Sequence, residues 1–324
     1  MTPKINTITT TKNLLAFSGG VDSSALFFIL LENKIPFDIA IVDYNLRAQS
    51  KEEIAYAKEL ARKYNKEIFI KEVMLNDTSN FEKKARDIRY SFFEEVIEQN
   101  SYQTLITAHQ LNDKLEWFLM QLSRGAGIFE LLSFEELTKK ETYTILKPMI
   151  NISRDEIMEY LDKNSIKYFI DETNDDEKYK RNYFRKNFAN KFIKEFESGV
   201  VKSFEYLEKD KNSLSLDNLV LKEKELEIFT VNADDNLNIR SIDTSLKKRG
   251  FLLSKLQRDE ILKQRQVVVS HKVSITITDK FIYISPYENE IMDKKFKEKC
   301  RVNKIPKNIR SYIFKENLLD KLIV

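Results

Sequence analysis

Residues 13–33 constrain this chain more than any other stretch. The apolar run Asn13–Phe17 ends at Ser18-Gly19-Gly20, and Val21–Asn33 continues with an almost wholly apolar body. That is the pattern of a strand, a tight turn and a buried helix. The whole chain has six glycines, four of which fall in two places, Gly19-Gly20 and Gly125-x-Gly127. A sequence so sparing keeps glycine where backbone geometry demands it. In Ser18-Gly19-Gly20-Val21-Asp22-Ser23-Ser24 the small residues let backbone N–H groups converge, and the helix N-terminus adds partial positive charge, so an anionic phosphate fits. The hydroxyls of Ser18, Ser23 and Ser24 offer further donors. Asp22, so close to bound phosphate, calls for a bridging cation, which points to Mg2+. This is neither the Walker loop, with its Gly-Lys-Ser/Thr, nor the dinucleotide Gly-x-Gly-x-x-Gly.

Downstream, strand and helix patterns alternate. Strands are expected at Asp38–Val42, Glu67–Val73 and Thr104–Ala108, and helices from the capping box Ser50-x-x-Glu53 to about Tyr64, over Phe81–Gln99 and over Leu111–Ser123. Such alternation predicts an α/β fold with a doubly wound, mostly parallel sheet, which binds ligands at the carboxyl ends of its strands. Ser18, Asp43 and His109 each fall just past such an end. A second capping box, Ser153-x-x-Glu156, opens a helix to about Lys163. Beyond about Phe196 the chain turns helical and charge-rich, and Val267–Ser285 then alternates around Asp279-Lys280 as a β-hairpin does. The expected division is a catalytic domain over residues 1–195 and a smaller, mainly helical C-terminal domain over 196–324 that ends in the hairpin.

With 324 residues and 42% hydrophobic content the chain can bury a sizeable core. Its longest unbroken apolar run, Ala25–Leu31, is far short of the roughly 20 residues a membrane span needs, and no signal-peptide layout is present, so a soluble, cytoplasmic protein with no membrane partner is expected. Cys300 is the single cysteine, which excludes an internal disulfide and any mechanism needing two thiols. A net charge of +3 decides nothing about partners. Locally, however, residues 177–195 hold seven Lys or Arg against two Glu, and residues 290–324 hold ten against five acids.

Ser18-Gly19-Gly20-Val21-Asp22-Ser23 resembles the signature of the PP-loop ATP pyrophosphatases, which adenylate a carbonyl oxygen and release pyrophosphate. Several further segments resemble the tRNA(Ile)-lysidine synthetase family within that superfamily. They are Val42-Asp43-Tyr44-Asn45-Leu46-Arg47, Ala85-Arg86-x-x-Arg89-Tyr90, Thr107-Ala108-His109-Gln110-Leu111-Asn112-Asp113-Lys114-Leu115-Glu116 with Ser123-Arg124-Gly125-Ala126-Gly127 after it, and Asp171-Glu172-Thr173-Asn174 followed by Arg181-Asn182-x-x-Arg185. Together they cover about residues 13–187. The C-terminal third is only weakly similar to the shorter family members and is too short for the pair of accessory domains of the longer ones.

The resemblance implies ATP and Mg2+ as cofactors, and L-lysine and a tRNA(Ile) with a CAU anticodon as partners; a homodimer stays open. It assigns the nucleotide to Ser18, Gly19, Gly20, Val21, Asp22, Ser23, Ser24, Asp43 and His109, and catalysis to Asp22, Asp113, Glu116 and Arg89. Asp22 and Asp113 are the metal ligands. Asp113 and Glu116, three apart, share a helix face and can hold Mg2+ or the ammonium of lysine, with Glu116 or Asp113 as acceptor of the amine proton. Arg86 and Arg89 share a face suited to phosphate. Arg181, Asn182 and Arg185 are the tRNA-binding candidates, with Tyr179, Tyr183 and Phe184 as stacking surfaces. The chain departs from the family at Gln110, in place of a second histidine, and at Asn112, in place of an aspartate. Those departures keep a catalytically degenerate tRNA-binding protein in view. A tRNA thiolase needs cysteines this chain lacks, and a small-molecule ligase of the amidotransferase type lacks its glutaminase here.

Overall fold

The computed structural model describes residues 3–5, 8, 12–45, 48–73, 81–170, 180–214 and 218–322. The motif residues Leu46, Arg47, 171–174 and Tyr179 lie outside them. The chain divides into two compact units, residues 1–211 and 212–324.

The first unit opens with β1 (Asn13–Ala16), α1 (Val21–Glu32), β2 (Asp38–Asp43), α2 (Ala48–Lys63), β3 (Ile68–Glu72), α3 (Phe81–Asn100) and β4 (Thr104–Ile106). It continues with α4 (Leu111–Leu122), α5 (Ile128–Leu131), β5 (Leu137–Lys139), β6 (Thr144–Leu146), α6 (Arg154–Lys163), α7 (Lys180–Phe184), a π-helical turn over Arg185–Ala189, and α8 (Asn190–Ser213). The sheet order is β3-β2-β1-β4-β6-β5, parallel throughout except for the antiparallel edge pair β5–β6. The order reverses between β1 and β4, and at that switch point the loops leaving the two strands open a crevice.

Burial explains α1. Ala25, Leu26, Phe27 and Leu30 have no exposed surface, and Phe27 meets Phe17, Phe37 and Tyr64 edge-on at centroid distances of 5.8, 5.2 and 5.7 Å. Aromatic and aliphatic burial of this kind contributes roughly 1.5–3 kcal/mol per side chain, so the loop before α1 stands on a rigid base.

One local expectation holds and two shift at their edges. The capping box at Ser153 forms: its hydroxyl accepts the Glu156 N–H and the Glu156 carboxylate accepts the Ser153 N–H. The one at Ser50 does not begin a helix, because α2 already starts at Ala48. Residue 196 is not a break between units. Phe196 has non-helical angles (φ −130°, ψ 25°), but α8 runs on past this kink, and Ile193, Val200 and Phe204 are buried with Leu111 and Leu115 in one cluster.

The second unit holds β7 (Leu219–Glu223), β8 (Leu226–Thr230), α9 (Asp235–Lys248), α10 (Lys255–Gln264), β9 (Gln266–Val269), β10 (Val273–Ile277), β11 (Phe281–Pro286), α11 (Lys294–Val302), α12 (Arg310–Lys315) and α13 (Leu319–Leu322). The expected hairpin is β10–β11, with Ile277 opposite Ile282 and Thr276 opposite Tyr283. It lies inside a larger antiparallel sheet of order β7-β8-β11-β10-β9, and the chain continues into helices after it. Both faces are covered. Ile275, Ile277, Ile282 and Ile284 pack with Ile242 and Leu246 of α9, while Leu226 packs with Cys300, Ile309 and Ile313. Burial pushes the Cys300 thiol up, which makes it an inert core residue.

Candidate active site

The loop after β1 is tied to itself and braced from outside. Ser18 N–H donates to Ser23 Oγ (3.2 Å), the two hydroxyls share a 3.0 Å hydrogen bond, and Ser24 Oγ donates to the Gly19 carbonyl (3.1 Å). These serine hydroxyls shape the loop, which leaves the backbone N–H groups at the start of α1 to receive an anion. No side chain caps that helix, so its first N–H groups and its dipole face the crevice. Phe169 N–H donates to the Gly19 carbonyl (3.0 Å), adding a strap between loop and protein body.

Gly19 has φ +74°, and a Cβ there would meet Phe169 Cδ2 at 3.4 Å and Glu53 Cβ at 3.6 Å. Gly19→Ala is therefore expected to cost about 1–2 kcal/mol of stability and to raise the KM for ATP. Gly199→Ala is the control: Gly199 lies within α8 with open space around it, and alanine there is expected to stabilise by up to about 1 kcal/mol. Thermal denaturation and a KM measurement on both variants check this.

Asp22, in the first turn of α1, is the electrostatic centre. Its Oδ1 is buried with no hydrogen-bond partner among the described residues. Burial pushes its carboxyl up to about 7; Asp113 pushes the same way, while Arg154 and Arg185 pull against them. The crevice thus gathers Asp22 from α1, Asp113 from α4, the first residue of α6 and the π-helical turn.

On α4, Asp113 and Glu116 share a face as their spacing predicts, and both are buried. Their partners were not legible in the sequence. Arg181 donates to Glu116 (2.5 Å) and Asp113 (3.0 Å), and Arg185 to Glu116 (2.9 Å) and Asp113 (3.0 Å). Asp113 uses its other oxygen to accept the Gln110 N–H (3.1 Å) as part of the α4 capping box. Burial raises the Asp113 carboxyl, but Arg181 and Arg185 outweigh it and hold the group below its ordinary value. At Glu116 burial wins over the same two arginines, and the carboxyl lies above its ordinary value. Two neighbouring carboxyls are thereby set apart in basicity.

The departures at Gln110 and Asn112 are structural. Gln110 Oε1 accepts the Asn112 N–H (2.7 Å) as the helix cap. The Asn112 amide donates to Asn190 (2.8 Å) and accepts the Arg154 N–H (3.1 Å), a pair of tasks an aspartate cannot perform because it has no donor.

The remaining candidates line the same end of the sheet. Asp43 Oδ1 accepts the Asn45 N–H (2.8 Å), closing the loop after β2. His109 receives a hydrogen bond from Thr107, or gives one to it, at 2.9 Å, and meets Phe134 edge-on; burial holds its imidazole down to about 3, so it is neutral. Arg86 stacks on Tyr90 (4.6 Å). Arg89 is exposed and lies near enough to Tyr44 to act on its hydroxyl. Asn182 is buried. Arg154 and Phe169 belong to the site too, and no pattern in the sequence singles them out.

Mg2+ fits the crevice at Asp22, whose buried Oδ1 lacks a partner and whose carboxyl is forced upward for want of one. Asp113 has both oxygens engaged, so it fits as a ligand only after an arginine withdraws. Among the described residues no group of three or more metal-ligating side chains converges.

This phosphate-receptive loop at a parallel-sheet switch point, with an acidic centre beside it, defines a nucleotide-binding protein of the PP-loop class, and residues 2–192 match the ATP_bind_3 family, a PP-loop domain. The tRNA(Ile)-lysidine synthase of Campylobacter jejuni (strain RM1221) is 45% identical over 310 residues, covering 95% of this chain and 94% of its own. That of Wolinella succinogenes is 42% identical over 304 residues, covering 94% and 93%. The chain belongs to the tRNA(Ile)-lysidine synthase family of PP-loop, ATP-dependent ligases. A solved structure, the U34-tRNA thiolase NcsA from Methanococcus maripaludis, aligns with a TM-score of 0.48 and 18% identity over 61% of this chain and 72% of that one. No helix among the described residues is long and apolar enough to cross a membrane.

Proposed function

We propose that this chain joins L-lysine to C2 of the wobble cytidine of a tRNA(Ile) bearing a CAU anticodon, converting ATP to AMP and pyrophosphate. The observation that carries the reading is the buried carboxyl pair of α4, whose Asp113 acts on Asp22 of the phosphate loop, which sets a cation site beside a nucleotide site. In the first step cytidine O2 attacks the α-phosphorus, an O–P bond forms and pyrophosphate leaves. The backbone N–H groups of Val21–Ser23 and the dipole of α1 receive its charge. Asp22, with Asp113 once an arginine releases it, would hold Mg2+, which would supply charge neutralisation on the phosphates. Arg89 and His109 stand at the rim of the same crevice, His109 as a neutral polar contact for the nucleotide alongside Asp43.

In the second step the lysine amine attacks C2, a C–N bond forms and the C2–O bond to AMP breaks. The amine must lose a proton, and Glu116, raised by burial, is the carboxyl poised to accept it. Arg181 and Arg185 hold the acidic pair while lysine is absent. A lysine ammonium entering between the carboxylates releases the two guanidinium groups, which then serve the tRNA phosphates. Catalysis thus rests on positioning and electrostatics, without a covalent enzyme intermediate.

Incubation with ATP, Mg2+, radiolabelled lysine and bulk bacterial tRNA tests the reading. Label that stays on the RNA through mild alkaline deacylation is the expected result. Pyrophosphate release with no stable label would leave the ligase class in place and require another nucleophile.

A further inference from the structure

The segment from α7 to the kink of α8 carries aromatic residues every fourth position: Phe184, Phe188, Phe192 and Phe196. Side chains at that spacing share a helix face and bury together when the face is packed. Here they are not buried. Phe188, Phe192 and Phe196 are 45%, 50% and 52% exposed, and Tyr183 beside them is 44% exposed, while the interleaved Ala189 and Ile193 face the core. The rings form two groups in succession. Tyr183, Phe184 and Phe188 meet at centroid distances of 5.6–6.0 Å, and Phe192 and Phe196 meet at 5.0 Å.

Three further observations define what fits this face. First, it is basic: Lys186, Lys191 and Lys194 are exposed between the rings, within a stretch of seven Lys or Arg against two Glu. A membrane-embedded face would be continuous and wide, whereas this one is a narrow line of flat rings with cations alongside. Second, it is continuous with the site, since the same helical segment begins with Arg181 and Arg185, which grip Asp113 and Glu116. Third, Phe192 and Phe196 stay in contact at 5.0 Å although the backbone at Phe196 is non-helical (φ −130°, ψ 25°), so the line of rings continues to the kink.

Flat rings that offer a π face, with ammonium groups interleaved, are what unpaired nucleotides require: bases stack and phosphates pair. We propose that Phe188, Phe192 and Phe196 form a stacking platform for unpaired nucleotides of the RNA substrate, with Lys191 and Lys194 as phosphate contacts. This rests on the tRNA-modifying reading above and adds to it the surface that holds the strand beside the crevice.

The test uses the full chain and an RNA stem–loop with the CAU anticodon, read by filter binding over a salt series. Phe192→Ala and Phe196→Ala should each weaken Kd roughly 10-fold, with the slope of log Kd against log salt unchanged, and Phe192→Trp should restore binding. The double variant Lys191→Gln/Lys194→Gln should instead flatten that slope by about 1.4. Circular dichroism and melting temperature guard against misfolding, and the substituted positions are all exposed. Wild-type Kd in the alanine variants, or a loss the tryptophan variant fails to restore, would overturn the platform; so would variants that alter self-association in sedimentation while RNA affinity stays put, which would assign the rings to a second copy of the chain. Lysine incorporation by the wild type is scored separately. If it fails while the aromatic variants still lose RNA affinity, the reaction assignment falls and the platform stands.

Discussion

Asp22→Asn should slow pyrophosphate release by orders of magnitude and yet melt several degrees higher than the wild type at pH 8 in metal-free buffer. The loss of activity follows from removing the one carboxylate in the phosphate loop, and a reduction of about 10²–10³-fold is expected when a charge-stabilising group is deleted. The gain in stability follows from linkage. The Asp22 carboxyl is raised from 3.8 to about 7, first by burial and then by Asp113. The folded chain therefore binds this proton more tightly than the unfolded chain. The stability it contributes is full below about pH 4, falls as the pH rises toward 7, and stays lost above that. The difference corresponds to about 4 kcal/mol at most. Asparagine resembles the protonated form at every pH, so variant and wild type should melt together at pH 4 and separate at pH 8. Paired thermal scans at the two pH values read this out. Equal melting at pH 8 would mean the carboxylate is already solvated or paired.

Glu116→Gln should separate the two chemical steps. The residue lies on the acidic pair and away from the phosphate loop, so pyrophosphate release should stay within a few-fold of wild type. Transfer of lysine should slow by about 10²–10⁴-fold, the range for loss of a positioned base. The pH profile of the second step should change with it, because the wild-type limb set by a carboxyl above the ordinary glutamate range disappears. The fold also suffers. Glu116 and Asp113 answer Arg181 and Arg185 in a buried two-on-two arrangement, and removing one charge leaves a guanidinium short of a partner, a loss of about 3 kcal/mol. Single-turnover assays at a temperature well below the melting point keep the two effects apart. Equal loss in both steps would place Glu116 in the adenylation chemistry instead.

Much of this site is legible from local pattern. The glycine pair between an apolar run and an apolar helix marks the phosphate loop, because few other uses justify a left-handed glycine such as Gly19 in a chain with so little glycine. The three-residue spacing of Asp113 and Glu116 predicts a shared face because α-helical geometry leaves no alternative. Edges are less legible. The helix before Ser50 begins earlier than its capping pattern, and β5–β6 is missed because three-residue strands at a sheet edge carry too few positions to show a period.

The sequence by itself therefore determined the α/β order, the phosphate loop and the acidic face, since each depends on residues within a turn or a strand of one another. Only the tertiary structure decided that Arg181 and Arg185 answer Asp113 and Glu116 from 65 to 72 positions away, that Asn112 is a structural amide, and that Phe192 and Phe196 stand in solvent. Desolvation is the reason: a buried carboxylate must be met by whatever cation the fold brings near, and the period of a pattern of phenylalanines is the same whether its face is covered or bare.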